Sequence, residues 1–394
     1  MCGALAHGET RLLSPLGSDD TTAAVRVLKQ LGVKIRRFQD AWIIHSDGFK
    51  APGKNLHCGD SAATLRFLTA LCALAPGECR LTAGTSLSRR PVQPLVEALN
   101  QLGVACSSHG GLPPVTVNGG AFKGGRVTLP GDVSSQFVSA LLMAAPLSSQ
   151  GIEIKLTSPL QSRPYVLMTL DTMQWFGITA AFSDALDYFE VLPQKYQPTR
   201  YHIEGDWSSA SYLLALGVLG GEVTVDNLPS ETMQGDRMIL TILQQMGADI
   251  DVKQNSVTAR KSALRAVNTD LTDSTDLLPT VAVLAAAAPG RSEIRGIARA
   301  RLKESDRVAA VCNNLTRMGI KTSIEPNCLF IYGGIPHGAV IESYDDHRIA
   351  MAFSVLGVLT GETGIKGAEC VSKTYPEFWE VFRLLGGKAV NNEQ

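Results

Sequence analysis

The chain has 394 residues, enough for two or three cored domains. Its 36 Lys and Arg nearly cancel 37 Asp and Glu, which excludes the positive excess that bulk nucleic-acid or polybasic membrane binding requires. The eight cysteines are scattered, with no C-x-x-C pair and no Cys/His run of zinc spacing, so the expectation is a reducing compartment and no metal. Residues Met1 to Gly8 lack the basic and long apolar regions of a signal peptide, and the apolar run Val281 to Ala288 is too short to span a bilayer. A cytoplasmic chain is expected.

Read in chain order, one pattern recurs six times: a helical period closing on Gly, then a strand-like stretch. The helical segments run from Asp20 to Gly32, Pro91 to Gly103, Pro164 to Gly177, Asp236 to Gly247, Asp306 to Gly319 and Pro376 to Gly386. Their closing glycines lie about 70 residues apart, longer than common solenoid units. Leu95, Val96, Leu99 and Leu102 show the spacing of a helix that buries one face, and the final Gly supplies a left-handed cap. Ala41 to His45 and Cys328 to Tyr332 read as strands, and the Gly pairs at 119–120 and 333–334 as turns. The fold class is α/β, with two lobes of three units each, spanning 1–204 and 205–394.

No Walker sequence or strand-linked G-x-G-x-x-G occurs, so ordinary nucleotide folds lose support. Gly131-Asp132-Val133-Ser134-Ser135-Gln136-Phe137 puts two hydroxyls and an amide at a helix start. The stretch suits either an anion site or a simple N-cap. Glu204 to Ser211 reads as a capped crossover between lobes, and His347 as a hydrogen-bonded structural residue. Arg66, Arg90, Arg307 and Arg348 stand beside Gly, Pro or capping residues. One such arginine makes an ordinary ion pair, whereas several converging forks bind small, highly anionic molecules. Glu304, between Lys303 and Arg307, sits where cations tune acid–base work, and Asp276 precedes a small-residue helix as either a base or an N-cap.

Together, Gly131–Phe137, Gln161-Ser162-Arg163-Pro164-Tyr165, Met233-Gln234-Gly235-Asp236, Lys303-Glu304-Ser305-Asp306-Arg307, Asp345-Asp346-His347-Arg348 and Ser372-Lys373-Thr374-Tyr375-Pro376 resemble 5-enolpyruvylshikimate-3-phosphate synthases. The match runs in order along nearly the whole chain. The resemblance implies a two-lobed enolpyruvyl transferase fold of six β-α-β-α-β-β units with helices packed inside. It implies transfer of the enolpyruvyl group of phosphoenolpyruvate to shikimate 3-phosphate, in aromatic amino acid biosynthesis, by a monomer that uses no cofactor. Carried over position by position, Ser134, Ser135, Gln136, Ser162, Tyr165, Asp276, Arg299 and Lys303 hold shikimate 3-phosphate. Ala62, Arg90, Gln136, Arg307, Arg348 and Lys373 hold phosphoenolpyruvate, with Asp276 as base and Glu304 as acid.

Three departures qualify that expectation. The family's opening strand and Pro-Gly-Ser-Lys-Ser loop have no counterpart before Ala4-Leu5-Ala6-His7-Gly8, which predicts an open sheet edge or core face and impaired activity. An alternative function follows, a non-catalytic paralogue that binds shikimate 3-phosphate. Ala62 replaces a glycine beside phosphoenolpyruvate, which predicts weak sensitivity to glyphosate. Asp60 and Arg299 stand where an amide or imidazole is usual.

Overall fold

A computed structural model describes residues 1–390. The helices marked by a closing glycine are Asp19–Gln30, Gln93–Gln101, Arg163–Trp175, Met238–Gln245, Arg307–Arg317 and Phe378–Leu384. Gly32, Gly103, Gly177, Gly247, Gly319 and Gly386 follow them with φ between +78° and +93°. The next amide turns back to the helix, as Val33 N–H donates to Leu28 O and Ile320 N–H to Leu315 O. This closure needs a left-handed residue, which glycine adopts without a Cβ penalty.

A second set of helices is apolar nearly all round: Ala62–Leu71, Ser135–Ala144, Trp207–Gly220, Leu278–Ala287 and His347–Thr360. Helices of that composition belong in a core. The chain divides into two compact units, Met1–Ile203 and the part from Glu204 onward, each with its own apolar cluster. In the first unit Ser135–Ala144 packs between Ala62–Leu71 and Arg163–Trp175; in the second, His347–Thr360 packs against both Trp207–Gly220 and Leu278–Ala287. Among the described residues no helix is long and apolar enough to cross a membrane.

Among the described residues, the four four-stranded sheets share one plan: a parallel pair followed by antiparallel neighbours. Gly125–Leu129 runs parallel to Ile152–Leu156, which pairs antiparallel with Tyr188–Val191. Leu56–His57, Arg200–His202 and Asn268–Asp270 take the same parallel edge beside Gly77–Thr82, Gly8–Leu13 and Gly290–Arg295. The sheet of Glu222–Asp226, Ser256–Arg260 and Asp249–Val252 differs, since among the described residues no strand pairs with the outer edge of Glu222–Asp226.

The two Gly pairs are more than turns. Gly119 and Gly333 each end a strand, Leu112–Gly119 and Cys328–Gly333, against the carboxyl end of a buried helical segment. A Cβ on Gly119 would lie 2.1 Å from Cys72 O, and one on Gly333 would lie 2.0 Å from Ala288 O. Gly120 N–H then donates to Ala73 O and Gly334 N–H to Ala286 O. Close approach of two backbones, rather than turn geometry, fixes the first glycine of each pair. Gly333→Ala should therefore destabilise the protein by about 3 kcal/mol, at the upper end for overpacked cores. Gly334→Ala, where nothing lies within 4 Å of the added carbon, should change little. Urea denaturation compares the two; equal stabilities would contradict the assignment.

Candidate active site

In the first unit the expected binding residues gather where buried helices begin. Ser134 caps Ser135–Ala144, its Oγ accepting from Gln136 N–H at 3.3 Å. The cap reading of this stretch therefore holds, and leaves the second hydroxyl, on Ser135, at the first position of the helix. Gly131 passes so close to the 156–160 stretch that a Cβ would sit 2.7 Å from Ser158 O. Gly131 N–H donates to Ser158 Oγ, and Gln161 N–H donates to Gly131 O. These bonds pin the segment bearing Ser134, Ser135 and Gln136 to the one that leads into Ser162 and Tyr165. Ser162 is buried, with φ 53° and ψ 48°, a left-handed conformation that costs a non-glycine residue of order 1 kcal/mol. Tyr165 lies in the first turn of the helix that follows.

Ala62 opens the Ala62–Leu71 helix, behind the cap Ser61. Arg90 ends the short Leu87–Arg89 turn, and Asp60 Oδ1 accepts from Leu87 N–H at 2.8 Å in that turn. Arg66 joins the two regions. It is buried, donates to Ser134 Oγ at 3.1 Å, Gln136 Oε1 at 2.8 Å and Pro91 O at 3.3 Å, and lies over the Phe137 ring at 5.0 Å.

In the second unit a buried guanidinium is the hub. Arg307, first residue of the Arg307–Arg317 helix and 1 % exposed, is shared by three carboxylates. Nε reaches Asp346 Oδ2 at 2.7 Å, Nη1 reaches Asp276 Oδ1 at 2.6 Å, and Nη2 reaches Glu304 Oε2. Asp346 is fully buried and also accepts from Ser305 Oγ at 3.0 Å and Arg348 N–H at 3.1 Å. Tyr344 and Asp345 precede it, both at φ 56°, in a turn closed by Asp346 N–H to Ser343 O. That is the pattern of a type I′ turn, and it delivers the Asp346 cap to the His347–Thr360 helix.

Asp276 is the second focus. Lys303 Nζ lies 3.0 Å from its Oδ1, and Arg348 Nη2 lies 3.4 Å from its Oδ2. Burial opposes its ionisation, but Arg348, Lys303 and Arg307 outweigh burial and hold the carboxyl well below the usual range. Asp276 lies in the Thr275–Leu277 turn and caps no helix, which removes its N-cap reading. Burial draws Lys303 below its ordinary value despite Asp276, and Arg299 adds to the positive field around it. Lys373 ends the Ala368–Lys373 segment, which packs on the His347–Thr360 helix. Asp206 caps Trp207–Gly220 through Ser208 and Ser209 N–H, as the crossover reading expects.

One reading is corrected. His347 is buried, but neither ring nitrogen has a hydrogen-bond partner, so it is not a hydrogen-bonded structural histidine. Burial and the Arg348 charge push its pKa down to about 3, and the ring packs as a neutral group. Tyr212, which no motif singled out, also enters the cluster, as does Asp236 of the Met233–Asp236 stretch. Tyr212 Oη lies 3.4 Å from Arg348 Nη1, and burial raises its phenol to about 12. Asp236 bonds to Ser208 Oγ while its Oδ1 has no partner. Tyr212 lies inside an apolar helix, where only the helical offset from Ser208 could have flagged it.

Repeated α/β units around two helical cores, with clustered arginines, lysines, hydroxyls and carboxylates, are the architecture of an enolpyruvyl transferase. The EPSP synthase (3-phosphoshikimate 1-carboxyvinyltransferase) family model matches residues 1–382. A 3-phosphoshikimate 1-carboxyvinyltransferase of Dehalococcoides mccartyi is 47% identical, over 100% of this chain and 93% of its own length. One from Methanothermobacter thermautotrophicus is 41% identical, over 97% of this chain and 91% of its own. A solved EPSP synthase of Acinetobacter baumannii superposes with a TM-score of 0.83 at 26% identity, covering 98% of this chain and 92% of that one. The chain belongs to the EPSP synthase family, and is thus a transferase of aromatic amino acid biosynthesis. These comparisons do not favour the non-catalytic paralogue.

Asp236 gives a test of the buried electrostatics. Burial, then the charge of Asp276, push its pKa up to about 6 against the partial offset of Arg348. Between the usual carboxylate range and pH 6 the folded state therefore holds a proton that the unfolded state has lost. Stability from this group is full at low pH and is lost as pH rises through 6. Asp236→Asn lacks the penalty, so its stability relative to the parent should rise by on the order of 3 kcal/mol between pH 4 and pH 7. A gap that stays constant in urea denaturation at the two pH values would contradict this placement.

Proposed function

We propose that the clusters act together in moving the enolpyruvyl group of phosphoenolpyruvate to the 5-hydroxyl of shikimate 3-phosphate, with the following roles. Ser134, Ser135, Gln136, Ser162 and Tyr165, with Arg299 and Lys303, hold shikimate 3-phosphate. Arg90, Gln136, Arg307, Arg348 and Lys373 hold phosphoenolpyruvate, with Ala62 lining its place. Asp276 takes the proton of the 5-hydroxyl as its oxygen attacks C2, and Glu304 gives a proton to C3. The tetrahedral intermediate then expels phosphate, and C3 returns its proton to restore the double bond. On this reading the protein works as a cytoplasmic monomer without metal or organic cofactor.

The observation that carries the reading is the shared cation field of the candidate acid and base. Asp276 touches Lys303, Arg307 and Arg348, and Glu304 touches the same Arg307. A carboxylate held so strongly ionised is a weak base. Anionic groups arriving on Arg307 and Arg348 would share those cations, loosen their hold and raise the basicity of Asp276. The same cations stabilise charge that builds on the departing phosphate.

Glu304→Gln keeps an acceptor for Arg307 and removes the proton donor. Phosphate release in the presence of both substrates should fall about 10²–10⁴-fold in kcat, with little change in KM; a kcat within threefold of the parent would sink the role. Ala62→Gly should tighten inhibition by glyphosate by about tenfold or more, because a buried methyl at the helix start is removed. An unchanged inhibition constant would show that Ala62 does not set this sensitivity.

A further inference from the structure

Arg66 belongs to neither set of substrate ligands, yet it ties them together. It lies one helical turn beyond Ala62, is 5% exposed, and bonds to Ser134, Gln136 and the carbonyl next to Arg90. Its guanidinium can only donate. Ser134 Oγ accepts from Arg66 and also from Gln136 N–H, which occupies both lone pairs of the hydroxyl and leaves its proton to be donated elsewhere. Gln136 Oε1 accepts from Arg66, which fixes the amide flip and turns its NH₂ away from the arginine. Two side chains able to donate or accept are thus committed to donating, the polarity that phosphate and carboxylate oxygens require. Stacking on the buried Phe137 ring keeps the guanidinium in one plane.

We infer that Arg66 is a positioning residue that sets the hydrogen-bond polarity of Ser134 and Gln136 and so makes them a receptor for anions. The inference rests on the assignment of Ser134 and Gln136 to substrate binding given above. It predicts that Arg66 acts on substrate only through those two side chains.

The test is a set of variants assayed for KM of shikimate 3-phosphate and kcat, with thermal unfolding recorded for each. Ser134→Ala with Gln136→Ala should raise KM at least tenfold. Arg66→Met should raise KM by a comparable factor in the parent, but by less than threefold when added to the double variant. Arg66→Lys, which keeps the charge and loses the fork, should fall between the parent and Arg66→Met, and it carries the same comparison if Arg66→Met does not fold. A merely structural arginine would lower the unfolding temperature in both backgrounds and leave KM alone, or multiply its effect independently of the double variant; either result overturns the inference. If the double variant keeps the parent KM, the binding assignment itself fails and the inference falls with it.

Discussion

Burial of one guanidinium among three carboxylates is the constraint on which the second unit depends. A charge as enclosed as Arg307 is tolerable only when it is paired and its donors are satisfied. Nε and both terminal nitrogens meet that demand through Asp346, Asp276 and Glu304. These partners come from three separate stretches, so pairing fixes their relative positions. Asp346 in turn starts the His347–Thr360 helix and so orients Arg348. One ion cluster thereby sets both the backbone at the start of two helices and the direction of the candidate acid and base.

The first unit holds a second enclosed guanidinium. Arg66 donates to a hydroxyl, an amide and a backbone carbonyl. The outcome differs in kind. Around Arg307 the arginine helps to hold Asp276 ionised, whereas around Arg66 it directs the protons of uncharged groups. Arg307 opens its helix, where backbone N–H groups add to a positive field, whereas Arg66 stands one turn into its own.

What was legible in the sequence follows from how local each cause is. A glycine needed at φ near +80° is dictated by its own helix end, so six helix boundaries could be read directly from Gly32 to Gly386. Lys303, Glu304 and Arg307 are neighbours in sequence, and their charges announced a cluster. The pairing of Arg307 with Asp346 spans 39 residues and that of Arg66 with Ser134 spans 68, so neither follows from spacing. The Gly pairs misled in the same way: their cause is a helix carbonyl from another part of the chain. His347 misled because burial and a neighbouring arginine, without a hydrogen-bond partner, can keep a histidine neutral.

The most direct measurement is the ionisation of Asp276, followed by carboxyl carbon NMR with Asp276→Asn to assign the signal. The account predicts a carboxyl that stays ionised well below the usual carboxylate range, with its midpoint moving upward once anionic substrate shares Lys303, Arg307 and Arg348. A midpoint in the ordinary range, unmoved by phosphoenolpyruvate, would contradict it.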